Sequence, residues 1–200
     1  MLLQHHYLWY IPDFPELIEG VTTLREFELK IAKRCDKNPN VIGPDDYKGY
    51  AFEIFVEFLF KYLNGDPTTT YVVDYEPNNE RDKGIDGIGR SIKDGLGAYI
   101  QAKYRSNPTY LLKNDDNVSN LGLDAHLNYQ SNFNGYNWII VTNCKGVHPE
   151  HPAFPCHQIT RKRIQRMVDN IPVFWEDFRS VVQESLQVGV DSYGFTPSVA

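Results

Sequence analysis

"KGIDGIGRSIKDGLGAYIQAKYR", residues 83–105, holds two β-patterned runs, IDGIGRSI and AYIQAKYR, on either side of the turn former KDGLG. The second run is unusual. Tyr99, Ile100, Ala102 and Tyr104 read as a buried strand, yet Gln101 and Lys103 stand in its middle. Side chains alternate across a strand, so Gln101 and Lys103 share one face, while Ala102 points to the other and still offers its backbone carbonyl. Asp86 stands between Gly84 and Gly87 at the head of the first run. Small neighbours there would let a metal ion or a phosphate come close to the backbone. If the two runs pair, three polar side chains converge.

Working outward, TYVVDYE supplies a strand upstream of the turn-rich PNNERDKG, so three consecutive strands form a meander. YNWIIVTNC downstream is a further strand whose unbroken apolar centre implies burial on both faces. Before the sheet, residues 23–35 place Leu24, Phe27, Leu29 and Ile31 on an amphipathic helix. DYKGYAFEIFVEFLFKYLNGDP then reads as a buried helix, capped by Asp46 and stopped by Gly65 and Pro67. Its polar stripe is Glu53, Glu57 and Lys61, of which Glu57 and Lys61 are expected to pair across one turn. A helix is expected within the polar residues 109–130. TRKRIQRMVDNI is a helix capped by Thr160, with Ile164, Met167, Val168 and Ile171 inward, and FWEDFRSVVQESL is another. The order implies an α/β domain, a mixed sheet between helices, whose long helix carries Glu53.

At 200 residues, 42% of them hydrophobic and 14% aromatic, the chain has material for a sizeable core, which argues against disorder. Its longest apolar run, Phe52 to Phe60, is broken by Glu53 and Glu57 and falls short of the roughly 20 apolar residues that span a bilayer. No membrane association is expected. MLLQHHYLWYIPDF lacks a basic segment and a small-residue cleavage site, so a cytoplasmic location is expected. Cys35, Cys144 and Cys156 are too few and too scattered for a disulfide framework. Cys144, His148, His151, Cys156 and His157 crowd one stretch, but without zinc-finger spacing they read as a polar loop, with structural zinc as the alternative. The net charge of −6 speaks against nonspecific coating of nucleic acid. Locally the balance reverses, because Arg161, Lys162, Arg163 and Arg166 stand against a single acid, Asp169.

Hydrolysis of a phosphodiester needs a hard divalent ion held by carboxylate, carbonyl and water oxygens, usually with only one or two carboxylates from the protein. Asp86 is the natural principal ligand. Glu53 can supply a second carboxylate, the Ala102 carbonyl a further position and Gln101 a neutral oxygen. Lys103 would orient the attacking water and offset charge building on the phosphate. The set GxxFE (Gly49 to Glu53), GID (Gly84 to Asp86) and QAK (Gln101 to Lys103) resembles the PD-(D/E)xK nuclease superfamily, in its Mrr-type restriction endonuclease branch, where the last motif is often QxK. IIVTN (139–143) and FWEDF are similar to segments that follow the core there.

The resemblance implies a restriction-endonuclease-like mixed β-sheet flanked by helices and Mg²⁺-dependent cleavage of DNA, with Mn²⁺ able to substitute. By motif position it makes Glu53 and Asp86 the metal-site acids, Gln101 the variant acid position and Lys103 the catalytic lysine. The proline of the first motif is replaced by Ile85. Residues 45–145 would form the nuclease core, 1–44 a helical extension before it, 146–187 a C-terminal helical part of the same domain and 188–200 a tail. Arg161, Lys162, Arg163 and Arg166, with Arg105 beyond the QAK strand, are expected to track the DNA backbone. A homodimer is among the expected assemblies, since such folds often pair to cut two strands. The alternatives are a DNA-binding module with a degenerate site and a nuclease acting on branched junctions. No Walker-type phosphate loop or GxSxG elbow is present.

Overall fold

The computed structural model describes residues 1–11, 13–37, 43–66, 68, 70–79, 85–113, 136–150, 156–169, 171 and 173–193. Its helices are α1 (Phe14–Leu17), α2 (Leu24–Lys37), α3 (Pro44–Leu63), α4 (Arg161–Val168) and α5 (Phe174–Tyr193), preceded by a 3-10 turn at His6–Tyr10. Its strands are β1 (Val72–Pro77), β2 (Gly87–Ser91), β3 (Gly97–Lys103), β4 (Leu111–Leu112), β5 (Asn137–Thr142), β6 (Gly146–Val147) and β7 (His157–Ile159). Five strands make one mixed sheet in the order β1-β2-β3-β5-β7, and β4 pairs with β6. The first two pairings are antiparallel and the last two parallel. The fold class is therefore mixed α/β, with helices before and after the sheet in the chain. The helix expected within 109–130 falls largely on residues outside those described. The last helix runs on to Tyr193, through residues read from sequence as tail.

The chain divides into two units, Met1–Phe58 with Gln165–Ala200, and Leu59–Ile164. In the first, the core is aromatic. Phe27 lies 5.3 Å from Phe55, Phe55 stacks on Trp175 at 5.5 Å, and Phe58 meets Phe178 at 4.8 Å. These rings come from three helices whose apolar residues recur at helical spacing, so each stripe is covered by the other two.

The second unit holds the sheet. β5 lies between β3 and β7 and is buried along Trp138, Ile139, Ile140, Val141 and Thr142, as its unbroken apolar run requires. Register partners Ile100 and Ile139 share one face. Gln101 and Ile140 share the other. There Leu112, Ile140, Cys144 and Val147 form a small cluster of their own. The turn between β2 and β3 closes through Ser91 N–H to Leu96 O and Gly95 N–H to Ser91 O, with Gly95 at φ 74° where a side chain would be strained. At Gly87 the reason for glycine is packing. A Cβ there would lie 2.3 Å from the Tyr75 hydroxyl, so the space beside that backbone is filled by a ring that also stacks on Phe60 at 5.1 Å. The expectation that Gly87 leaves room for a ligand is corrected accordingly. Among the described residues no helix is long and apolar enough to cross a membrane.

Candidate active site

The antiparallel register of β2 and β3 pairs Gly87 with Ile100 and Ile88 with Tyr99. Continued by one residue, it sets Asp86 opposite Gln101. The Asp86 N–H donates to the Ile100 carbonyl at 2.8 Å, which fixes the backbone at that position. Its carboxylate Oδ2 then accepts from Gln101 Nε2 and from the Ala102 N–H, each at 2.6 Å. Asn78 ties down the approach, its N–H donating to the Asp86 carbonyl at 2.9 Å and its side chain to the Ile85 carbonyl at 2.8 Å. Asp86 and Gln101 are thus brought into direct contact.

Gln101 is 1% exposed. With its amide nitrogen committed to Asp86, its Oε1 is buried and has no hydrogen-bond partner among the described residues. An unsatisfied buried carbonyl oxygen costs about 1–3 kcal/mol, so its presence beside a carboxylate calls for an electropositive ligand. Ala102 adds a third oxygen. A strand residue sends its N–H and C=O to the same edge, and the Ala102 N–H points at Asp86. The next carbonyl, of Lys103, points the other way, where the Thr142 hydroxyl donates to it at 2.7 Å. Lys103 shares the sheet face of Gln101 by alternation, is half-buried, and makes no ion pair among the described residues. Asp86, Gln101 and the Ala102 carbonyl are oxygen donors of the kind a hard divalent cation takes. Among the described residues no group of three or more His, Cys, Asp or Glu side chains is placed to hold a metal ion.

No family model matches the chain, and no curated protein matches it. Among solved structures it is similar to MspJI restriction endonuclease, determined in complex with a 27-mer oligonucleotide, with a TM-score of 0.45 and 16% identity. The alignment covers 84% of this chain and 35% of that one, so this chain spans about a third of the length of MspJI.

Glu53 belongs to the first unit. Its Oε2 lies 3.2 Å from Nε2 of His5, with Glu53 19% exposed and His5 1% exposed. Glu57, read from sequence as part of a polar stripe, is fully buried. Its two oxygens accept the N–H groups of Gln4 (2.7 Å) and His5 (3.0 Å), so this helix acid anchors the N-terminal segment. The same segment stacks Tyr7 on Tyr50 at 3.6 Å.

The basic residues divide into separate groups. Arg105 and Arg161 meet at Asn143, a residue the sequence reading gave no role. The Asn143 side chain accepts from the Arg105 N–H at 2.7 Å and donates to the Arg105 carbonyl at 2.9 Å, while the Arg161 guanidinium donates to the Asn143 carbonyl at 3.4 Å. The signal in sequence was an asparagine closing the apolar run IIVT, and in the fold it is 1% exposed. Arg163 lies against His157 and Tyr71. Arg166 falls in the first unit, and Lys162 is exposed. Of the zinc candidates, Cys144 is a core residue beside Thr142 Oγ1 at 3.1 Å. Burial pushes the Cys156 thiol up to about 12, which disfavours the thiolate that zinc needs. His151 lies outside the described residues.

Proposed function

We propose that this chain is a metal-dependent DNA endonuclease whose reacting centre is built on Asp86, Gln101, Ala102 and Lys103. The observation that carries the reading is the pair of 2.6 Å bonds onto Asp86 Oδ2, with the buried Gln101 Oε1 left unsatisfied among the described residues beside a carboxylate. Asp86, Gln101 Oε1 and the Ala102 carbonyl would hold Mg²⁺ or Mn²⁺. Bound there, the ion would supply Lewis-acid activation of water and of the phosphate. Gln101 holds the Asp86 carboxylate in place through its amide. Lys103, on the same face, orients the attacking water and balances negative charge on the phosphate. Glu53 enters this reading on its motif position alone. Arg105 and Arg161, joined at Asn143, supply contacts to the DNA backbone.

The test is cleavage of a supercoiled plasmid in Mg²⁺ or Mn²⁺ by the wild type, Asp86→Ala and Lys103→Ala, with thermal melts confirming folding. Each substitution is expected to lower the rate by about 10²-fold or more, the scale of losing one preorganised charge at a reacting centre. Cleavage that survives both changes overturns the reading. One observation favours a second reading, a DNA-binding module that has lost cleavage: position 101 carries an amide, and no three-acid group is present among the described residues. Duplex binding without cleavage by any form would select it.

A further inference from the structure

The second unit carries a cluster of cations away from the Asp86–Gln101 pair, made of Arg163, already among the residues expected to track DNA, with Lys93 and His157, which have no part in that expectation. Lys93 Nζ sits 3.5 Å from the centroid of the Tyr71 ring, and the Arg163 guanidinium carbon lies 5.7 Å from the same centroid. Arg163 Nη1 is 3.2 Å from His157 Nε2, and the His157 ring meets Tyr71 at 6.0 Å. Lys93 is exposed, the other three are half-buried, and Lys93 makes no ion pair among the described residues. Two fixed positive charges and an imidazole are thus gathered on one aromatic ring, in a chain that is acidic overall.

The local structure is built to present these groups. The Ile92 N–H donates to the Tyr71 carbonyl at 2.8 Å, tying the turn that bears Lys93 to the entry of β1. Tyr71 has φ 62°, in the left-handed region that a non-glycine residue occupies only under constraint. A guanidinium can only donate, so the His157 nitrogen facing Arg163 accepts, and the ring proton sits on Nδ1 as a further donor. Burial, then Arg163, then Lys93 hold the His157 pKa below its ordinary value. His157 pairs with Ile139, which pairs with Ile100, so its side chain lies on the sheet face opposite that of Gln101.

We propose that Lys93, Arg163 and His157 form a binding site for a phosphate group, borne by a polynucleotide backbone or by a small phosphorylated ligand, distinct from the Asp86–Gln101 pair. The ammonium, the guanidinium and the imidazole Nδ1–H supply charge-assisted donors, and Tyr71 is the platform that holds the two fixed cations. The site stands whether or not the chain cleaves DNA.

The test titrates inorganic phosphate at low ionic strength into the wild type, Lys93→Gln and Lys93→Arg, following the His157 side-chain NMR resonance assigned through His157→Gln. The wild type and Lys93→Arg are expected to show a saturable shift. Lys93→Gln, with an unchanged melting temperature, is expected to bind at least about tenfold more weakly, the value of one charge-assisted bond. A blunt DNA duplex without terminal phosphates that displaces the phosphate identifies a polynucleotide backbone as the source. Phosphate binding that such a duplex leaves intact identifies a small phosphorylated ligand. A His157 resonance that phosphate does not move, or Lys93→Gln titrating like the wild type, overturns the site. Cleavage is not read in this experiment, so an inactive nuclease and an absent phosphate site give separate results.

Discussion

At Gln101 an amide does two things that a carboxylate could not do together. Its nitrogen donates to Asp86 Oδ2, and its oxygen has no partner among the described residues. Gln101→Glu would set two carboxylates in contact, where like charges resist ionising together. Metal-free Gln101→Glu at neutral pH is therefore expected to lose about 1–3 kcal/mol of stability, read from denaturant midpoints. Calorimetric titration with Mn²⁺ should show tighter binding than in the wild type. His157 gives a second residue-scale expectation. Its folded-state pKa is depressed, so as pH falls through the ordinary histidine range the unfolded chain takes up a proton that the folded one resists. Stability is expected to fall with acidification over that window, and His157→Gln should flatten the fall, measured as melting temperature between neutral and mildly acid pH. The Asp86–Gln101 contact was legible in sequence, because alternation along β3 and a short turn leave little choice of register. Which atom of Gln101 would face Asp86 was not legible, since it depends on an acceptor that only the folded pair supplies.

At the scale of elements, α3 shows where pattern reading stops. Its near-continuous apolar run fixed it as a buried helix, yet Glu57 on the same helix accepts two backbone N–H groups from residues more than fifty positions away. Backbone donors carry no side-chain signature, so no spacing rule could have found that contact. Glu57→Ala is expected to cost about 3 kcal/mol, because it leaves two donors of the N-terminal segment unsatisfied and a cavity in a buried place. Glu57→Gln, which keeps one acceptor, should cost less, and chemical denaturation of the three forms measures both. The three-strand meander and the buried strand β5 were readable from turn chemistry and apolar runs; that β5 runs parallel to its neighbours was not. The β4–β6 pair and the edge strand β7 were not, being two or three residues long and too short for any period to show.

Across the whole molecule, a net charge of −6 repels a polyanion everywhere except where cations are grouped. On the nuclease reading, the Arg105–Arg161 pair is one such place. Removing one phosphate contact changes the slope of log affinity against log salt by about 0.9. Arg161→Gln is accordingly expected to weaken duplex binding across all sequences and to shallow that slope by about one unit, measured by fluorescence anisotropy over a salt series. In sequence Arg161, Lys162, Arg163 and Arg166 stood together as one local reversal of the charge balance. Folding separates Arg161 from Arg163, because side chains two positions apart on a helix diverge.

Tyr75 seated against Gly87 carries a consequence for how this chain can drift. The ring occupies the volume that any larger residue at 87 would claim. In a set of diverged relatives, columns 75 and 87 are bound to change together, a bulkier residue at one accompanying a smaller residue at the other.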